Sequence, residues 1–164
     1  AASKSSCRPG VGFGQDRMRV VGESEMVGLG RRWARCLQPG TVASFRGDLG
    51  AGKTTLVRGL LEGLGYKGIV RSPTFTLIES YTIADISIHH FDLYRVEDPE
   101  ELELIGCRDY LNNQDICLVE WPDKGGDLFS SPAIAFEISH TKEGRDVAYR
   151  LFRDDPCWTE NEGL

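Results

Sequence analysis

Glycines at positions 47, 50 and 52, followed at once by Lys53, Thr54 and Thr55, are the residues of this 164-residue chain whose types and spacing best suit chemistry. The run Gly47-Asp48-Leu49-Gly50-Ala51-Gly52-Lys53-Thr54 satisfies G-x-x-x-x-G-K-[ST] at every fixed position. Each type has a physical reason. The glycines let the backbone turn tightly and aim its N–H groups inward, so that the main chain of Asp48, Leu49, Gly50, Ala51 and Gly52 can line a cradle for phosphate. The helix N-terminus expected at Lys53 adds its own unpaired N–H groups. Lys53 is predicted to reach the β- and γ-phosphates of ATP, Thr54 Oγ1 to ligate magnesium, and Thr55 to contact the α-phosphate. A glycine-rich turn that binds nothing would satisfy the same pattern, but it would not need the flanking elements described below.

A phosphate cradle of this kind needs a carboxylate at the end of a nearby strand to hold Mg2+ or its waters. Asp92 follows Ile88-His89-His90-Phe91, and Glu120 follows Ile116-Cys117-Leu118-Val119 directly. Both fall where α/β sheets present ligands, at the carboxyl end of a strand, and Glu120 has the cleaner setting. Each is also open to being a plain loop acid. Asp48 is given no metal role. Ser72-Pro73-Thr74 stands where a switch-like loop would offer a hydroxyl near the γ-phosphate, or it is an ordinary Ser-Pro turn. Trp121 is either packing or a mobile aromatic at the site. His89 and His90, adjacent on a strand, face opposite ways, which excludes joint metal ligation; with His140 they read as structural.

These residues need elements to hold them. Thr41–Arg46 is short and β-prone and runs into the glycines. Leu56, Val57, Leu60, Leu61 and Leu64 make the apolar face of the helix that follows, with Gly65 as its stop. Further strands are expected over 17–21, 75–81, 86–93 and 116–119, and a closing hairpin pairs 133–138 with 147–152 across Gly144. Ser24 is the predicted N-cap of a helix through Met26, Val27, Leu29, Trp33, Ala34 and Leu37, and Pro99 opens a short acidic helix. Strands and helices alternating around a strand–loop–helix motif predict an α/β P-loop fold, a central mixed sheet flanked by helices. The expected organisation is a tail over 1–16, one domain over 17–153 and a second tail over 154–164.

Composition narrows the function classes. The net charge of −6 argues against a broad nucleic-acid surface. No apolar run approaches the roughly 18 residues of a membrane helix. Five cysteines without a C-x-x-C pair exclude a zinc ribbon or a disulfide scaffold. The first ten residues are small, polar and basic, which suits a transit-peptide remnant or, preferably, a featureless leader.

Five stretches together resemble the TsaE (YjeE) family: the glycine-rich run to Thr55, Ser72-Pro73-Thr74-Phe75-Thr76-Leu77, His90-Phe91-Asp92-Leu93-Tyr94-Arg95, Asp98-Pro99-Glu100-Glu101-Leu102-Glu103, and Glu120-Trp121-Pro122. The first is shared by many families; the combination is far more specific. The resemblance implies an ATP-binding protein of tRNA threonylcarbamoyladenosine synthesis. Its slow hydrolysis is stimulated by TsaB and TsaD, and it meets tRNA only through that complex. TsaC makes threonylcarbamoyl-adenylate and TsaD transfers the group to adenosine 37 of tRNAs reading codons that begin with A, so the ATPase is not the transferase. The family's magnesium positions fall on Thr54 and Glu120, its HxD aspartate on Asp92, its switch-like loop on Ser72 to Thr76, and its nucleotide-side aromatic on Trp121. Glu23 and Gly144-Arg145 fall where the family contacts adenine or ribose. The resemblance also implies a monomer on its own, away from membranes, in a cytoplasm or, if the leader is a transit remnant, a plastid or mitochondrial matrix. Two other readings stay open from the residues alone. A small P-loop kinase would need an arginine-bearing lid, and no such insertion is visible. A GTPase-like regulatory switch would need N-K-x-D, which is absent.

Overall fold

The computed structural model describes residues 17–152. The predicted tails, 1–16 and 154–164, lie outside the described residues. One seven-stranded sheet organises the chain: β1 (Arg17–Val20), β2 (Val42–Arg46), β3 (Ile78–Ile83), β4 (Ile86–Asp92), β5 (Ile116–Glu120), β6 (Ile134–His140) and β7 (Arg145–Leu151), in the order β1-β7-β6-β2-β5-β4-β3. The middle four strands, β6-β2-β5-β4, are parallel, and the outer pairings are antiparallel. The sheet is therefore mixed, with helices on both faces. Parallel strands covered on both sides must be apolar along their whole length, and β5, buried at every residue, is the clearest case.

Two helices cover one face. α1 (Gly22–Ala34) and α2 (Lys53–Gly63) send Leu29, Trp33, Leu56, Leu60 and Leu61 into a core shared with Phe45, Leu118 and Phe136. The helices meet backbone to backbone. A Cβ on Gly59 would lie 2.3 Å from the Val27 carbonyl oxygen and 3.0 Å from Gly30 Cα, so only glycine lets the two axes approach this closely. The opposite face is sealed by Phe91, Leu93, Leu102, Val119 and Phe129, with α3 (Glu100–Leu104) and the turns beyond it.

Several boundaries shift by one to three residues, the end of α1 among them, at Ala34 where Leu37 was expected, and two starts shift for a visible physical reason. α1 starts at Gly22 and Ser24 lies inside its first turn; the capping contact comes from Glu25, whose carboxylate accepts the Val21 N–H at 2.7 Å. An acid in the first turn also suits the helix dipole better than a hydroxyl. β3 starts at Ile78, not at Phe75. The Leu77 N–H donates to the Pro73 carbonyl at 2.7 Å and Leu77 adopts φ 70°, so residues 73–77 close a turn that leaves Phe75 83% exposed. The predicted hairpin across Gly144 is β6–β7.

Candidate functional site

β2 ends at Arg46 in the middle of the sheet, flanked by β5 and β6, and the glycine run carries the chain from there into α2. Gly47 takes φ 153°, and a Cβ there would meet the Ile138 carbonyl oxygen at 2.6 Å, so the first fixed glycine is required by the neighbouring strand. The loop then crests in the open: Asp48, Leu49 and Gly50 are exposed. Ala51 returns to the core, and Lys53, Thr54 and Thr55 form the first turn of α2.

Lys53 is buried beneath that crest. Its ammonium donates to the Gly47 and Asp48 carbonyls at 2.6 and 2.8 Å and lies 4.5 Å from the centre of the Trp121 ring. Burial pushes its pKa below the usual lysine value, against the opposing pull of the Glu120, Asp92 and Asp48 carboxylates. Burying a lone ammonium is costly, and this one is held by carbonyls, an aromatic face and nearby negative charge.

The two candidate acids come together because of strand register. Asp92 and Glu120 are direct partners at the carboxyl ends of parallel β4 and β5, so their side chains emerge on the same face, the one α2 covers. Glu120 Oε1 accepts from Thr54 Oγ1 at 2.7 Å and from His90 Nε2 at 2.8 Å. Asp92 Oδ1 accepts the Tyr94 N–H at 3.0 Å, and its Oδ2 accepts from Thr74 Oγ1 at 3.2 Å. Ser72 Oγ in turn lies 2.7 Å from Thr74 Oγ1, while Pro73 is buried as the loop's anchor. The Ser72–Thr74 loop is thereby joined to one carboxylate and α2 to the other.

Trp121 caps this arrangement. It takes a left-handed backbone, φ 55°, which costs a bulky residue about 1–2 kcal/mol. The turn is held by its N–H to the Phe45 carbonyl at 3.3 Å, and its ring packs on Tyr94 at 5.0 Å between centroids. Strain of this kind, where a strand ends beside an ammonium, is typical of functional positions.

On the other side of the loop a cleft of about 200 Å³ is lined by Glu23, Met26, Gly52, Thr55, Gly144 and Arg145, among others. Glu23 is ion-paired with Arg58. Arg145 donates to the Ala51 and Gly50 carbonyls at 3.0 and 3.3 Å and to Gly144 at 2.9 Å, tying β7 to the crest of the loop. The sequence positions expected at adenine or ribose thus border one cleft against the glycine loop.

The donor set fits magnesium and a triphosphate. A hydroxyl at the start of a helix and two carboxylates at strand ends are what such an ion takes from protein when phosphates and waters supply the rest, and the amides of a glycine loop at a helix N-terminus suit the phosphate oxygens. Among the described residues there is no cluster of three or more His, Cys, Asp or Glu side chains fit to hold a metal by themselves. One residue that reads as structural from the sequence, His90, meets Glu120. Arg145, expected beside adenine or ribose, also holds the Gly50 and Ala51 carbonyls of the loop. His89, facing away, is tied to Ser80 and Asp115 and has the structural part alone.

Comparison with known proteins gives concordant matches. Residues 20–147 match the family model described as "Threonylcarbamoyl adenosine biosynthesis protein TsaE". A Haemophilus influenzae protein named tRNA threonylcarbamoyladenosine biosynthesis protein TsaE is 45% identical over 133 residues, 78% of this chain and 84% of its own length. A Bacillus subtilis protein of the same name is 44% identical over 107 residues, 65% of this chain and 66% of its own. The fold superposes on the crystal structure of Bacillus subtilis YdiB with a TM-score of 0.73 and 28% identity, covering 90% of this chain and 93% of that one.

Proposed function

The chain belongs to the TsaE family, named for tRNA threonylcarbamoyladenosine biosynthesis, and from that membership we propose that it is a magnesium-dependent ATPase acting with TsaB and TsaD. In this reading it serves the threonylcarbamoylation of adenosine 37 without transferring the group itself. The observation that carries the catalytic part is the bond from Thr54 Oγ1 to Glu120 Oε1, with Asp92 beside Glu120 in register. It brings a helix-start hydroxyl and two strand-end carboxylates to the mouth of an amide-lined loop.

Each residue has a derived task. The amides of the loop and the α2 N-terminus bind phosphate oxygens. Lys53 exchanges the Gly47 and Asp48 carbonyls for phosphate oxygens and offsets the charge that develops on them. Thr54 donates its hydroxyl proton in a hydrogen bond to Glu120 Oε1 and offers its oxygen lone pairs outward. Asp92, with Oδ1 fixed by the Tyr94 N–H and Oδ2 shared with the Thr74 hydroxyl, accepts a proton-bearing group at Oδ2. Trp121 and Tyr94 keep bulk water from the ammonium. Magnesium, when bound, supplies further neutralisation of phosphate charge.

The test is Lys53→Ala, assayed for ATP binding and for turnover with and without TsaB–TsaD. Binding or turnover is expected to be abolished. Normal turnover by that variant in the presence of the partners would remove the loop from the mechanism.

A further inference from the structure

Two adjacent histidines on β4 have opposite surroundings. His89 has both ring nitrogens engaged, Nδ1 with Ser80 Oγ at 2.7 Å and Nε2 with Asp115 Oδ2 at 2.9 Å, and it ties β3 and the 112–115 turn to the sheet. His90 is fully buried, and its Nδ1 has no hydrogen-bond partner. Its one polar contact is Nε2 to Glu120 Oε1, at 2.8 Å. A buried imidazole with an orphaned nitrogen weighs against folding, and an apolar side chain would fill the same space without that penalty. The residue is therefore explained by what its other nitrogen does.

We propose that His90 is a positioning residue for the metal arm of the site. Against a carboxylate Nε2 must be the donor, so the proton sits on Nε2. With Thr54 Oγ1 donating to the same oxygen at 2.7 Å, Oε1 is held between a helix and a strand. Fixing Oε1 sets the plane of the Glu120 carboxylate, and with it the direction of Oε2. It also turns the Thr54 proton inward, which leaves the hydroxyl lone pairs for a cation. An outer residue that donates to a ligating or water-holding carboxylate is the usual way a weak-field ion site is kept in shape. This inference rests on the magnesium–ATP reading above and extends it to a residue that reading does not use.

The test compares wild type, His90→Leu and His90→Gln, the glutamine amide being able to donate from close to the Nε2 position. The primary quantity is the gain in ATP affinity that magnesium confers, measured as the ratio of affinities in magnesium and in EDTA. His90→Leu is expected to lose about 10–100-fold of that gain while its affinity in EDTA stays within about twofold of wild type. His90→Gln is expected to recover most of it. Independently, nitrogen-15 spectra of nucleotide-free wild type should show the His90 proton on Nε2. An unchanged magnesium gain in folded His90→Leu, equal losses in both variants, or a proton on Nδ1 alone would each overturn the proposal. If His90→Leu does not fold, the glutamine variant and the wild-type spectrum decide between the same outcomes. A wild-type protein with no magnesium gain at all would instead sink the ATPase reading itself.

Discussion

Replacing Glu120 by Gln separates what this carboxylate does for the fold from what it does for a cation. Glu120 is 3% exposed, and its Oε1 accepts from Thr54 and His90. A glutamine oxygen can accept both of those bonds, so the shape of the site survives. What is lost is charge. Hydrogen bonds to charged groups contribute about 1.5–3 kcal/mol against about 0.5–1.5 for neutral ones, so the two bonds together weaken by about 2–3 kcal/mol. Against this, the substitution removes a desolvated negative charge that faces Asp92 across the β4–β5 register, a gain of comparable size. The melting temperature of the nucleotide-free protein is therefore expected to stay within about 4 °C of wild type. The magnesium-dependent part of ATP affinity has no such compensation. Losing the charge on one carboxylate that orients the ion or its waters is expected to cost at least as much as losing an outer residue that acts through it, about 10–100-fold or about 1.4–2.7 kcal/mol. Differential scanning fluorimetry reads the first quantity, and titration of a fluorescent ATP analogue in magnesium and in EDTA reads the second. An equal magnesium gain in Glu120→Gln and wild type would refute a role for this charge in holding the ion.

Three other substitutions probe separate parts of the molecule, two at the site and one at the helix contact behind it. Asp92→Ala frees the Tyr94 amide and the Thr74 hydroxyl together; partner-stimulated turnover is expected to fall about 10–100-fold with affinity in EDTA nearly unchanged, and unaltered turnover removes Asp92 from the mechanism. Arg145→Ala releases the Gly50 and Ala51 carbonyls; ATP affinity should fall about equally with and without magnesium, because the cradle is loosened and the metal arm is not, and a loss confined to magnesium would contradict this. Gly59→Ala drives a methyl against the Val27 carbonyl at 2.3 Å; overpacking of about 1–3 kcal/mol should lower the melting temperature by roughly 3–12 °C, and an unchanged melting temperature would mean that α1 and α2 part without penalty.

Local pattern made the cradle legible. The fixed glycines, lysine and threonine lie within eight residues, a strand signal precedes them and an amphipathic helix follows, so the loop, β2 and α2 could be read together. The carboxylates could be placed at strand ends for the same reason. Their adjacency could not, because it depends on which strands are neighbours. β4 and β5 are separated by an acidic helix and two turns, and nothing in either strand alone fixes Asp92 opposite Glu120. β3 starts later than its pattern predicts because Phe75 and Leu77 have strand-like types while the Pro73 carbonyl closes a turn on Leu77, and a turn of that kind overrides β-propensity.

The parts played by His90 and Arg145 are not legible from spacing for a related reason. A histidine beside another histidine on an apolar strand looks like packing, and only the family resemblance sets Arg145 beside the nucleotide, without the carbonyls it holds. Each gains its meaning from an atom brought by another element, Glu120 Oε1 in one case and the Gly50 and Ala51 carbonyls in the other. The same two contacts divide the work of the site. Arg145 holds the crest of the loop from β7, on the cleft side, whereas His90 holds the carboxylate that meets α2 from β4, on the side of Asp92. Nucleotide binding and metal orientation are thus supported from opposite ends of the sheet order, β7 near one edge and β4 near the other. A perturbation of one arm is therefore expected to leave the other in place, which is why affinity in EDTA and the gain from magnesium are the quantities that distinguish them.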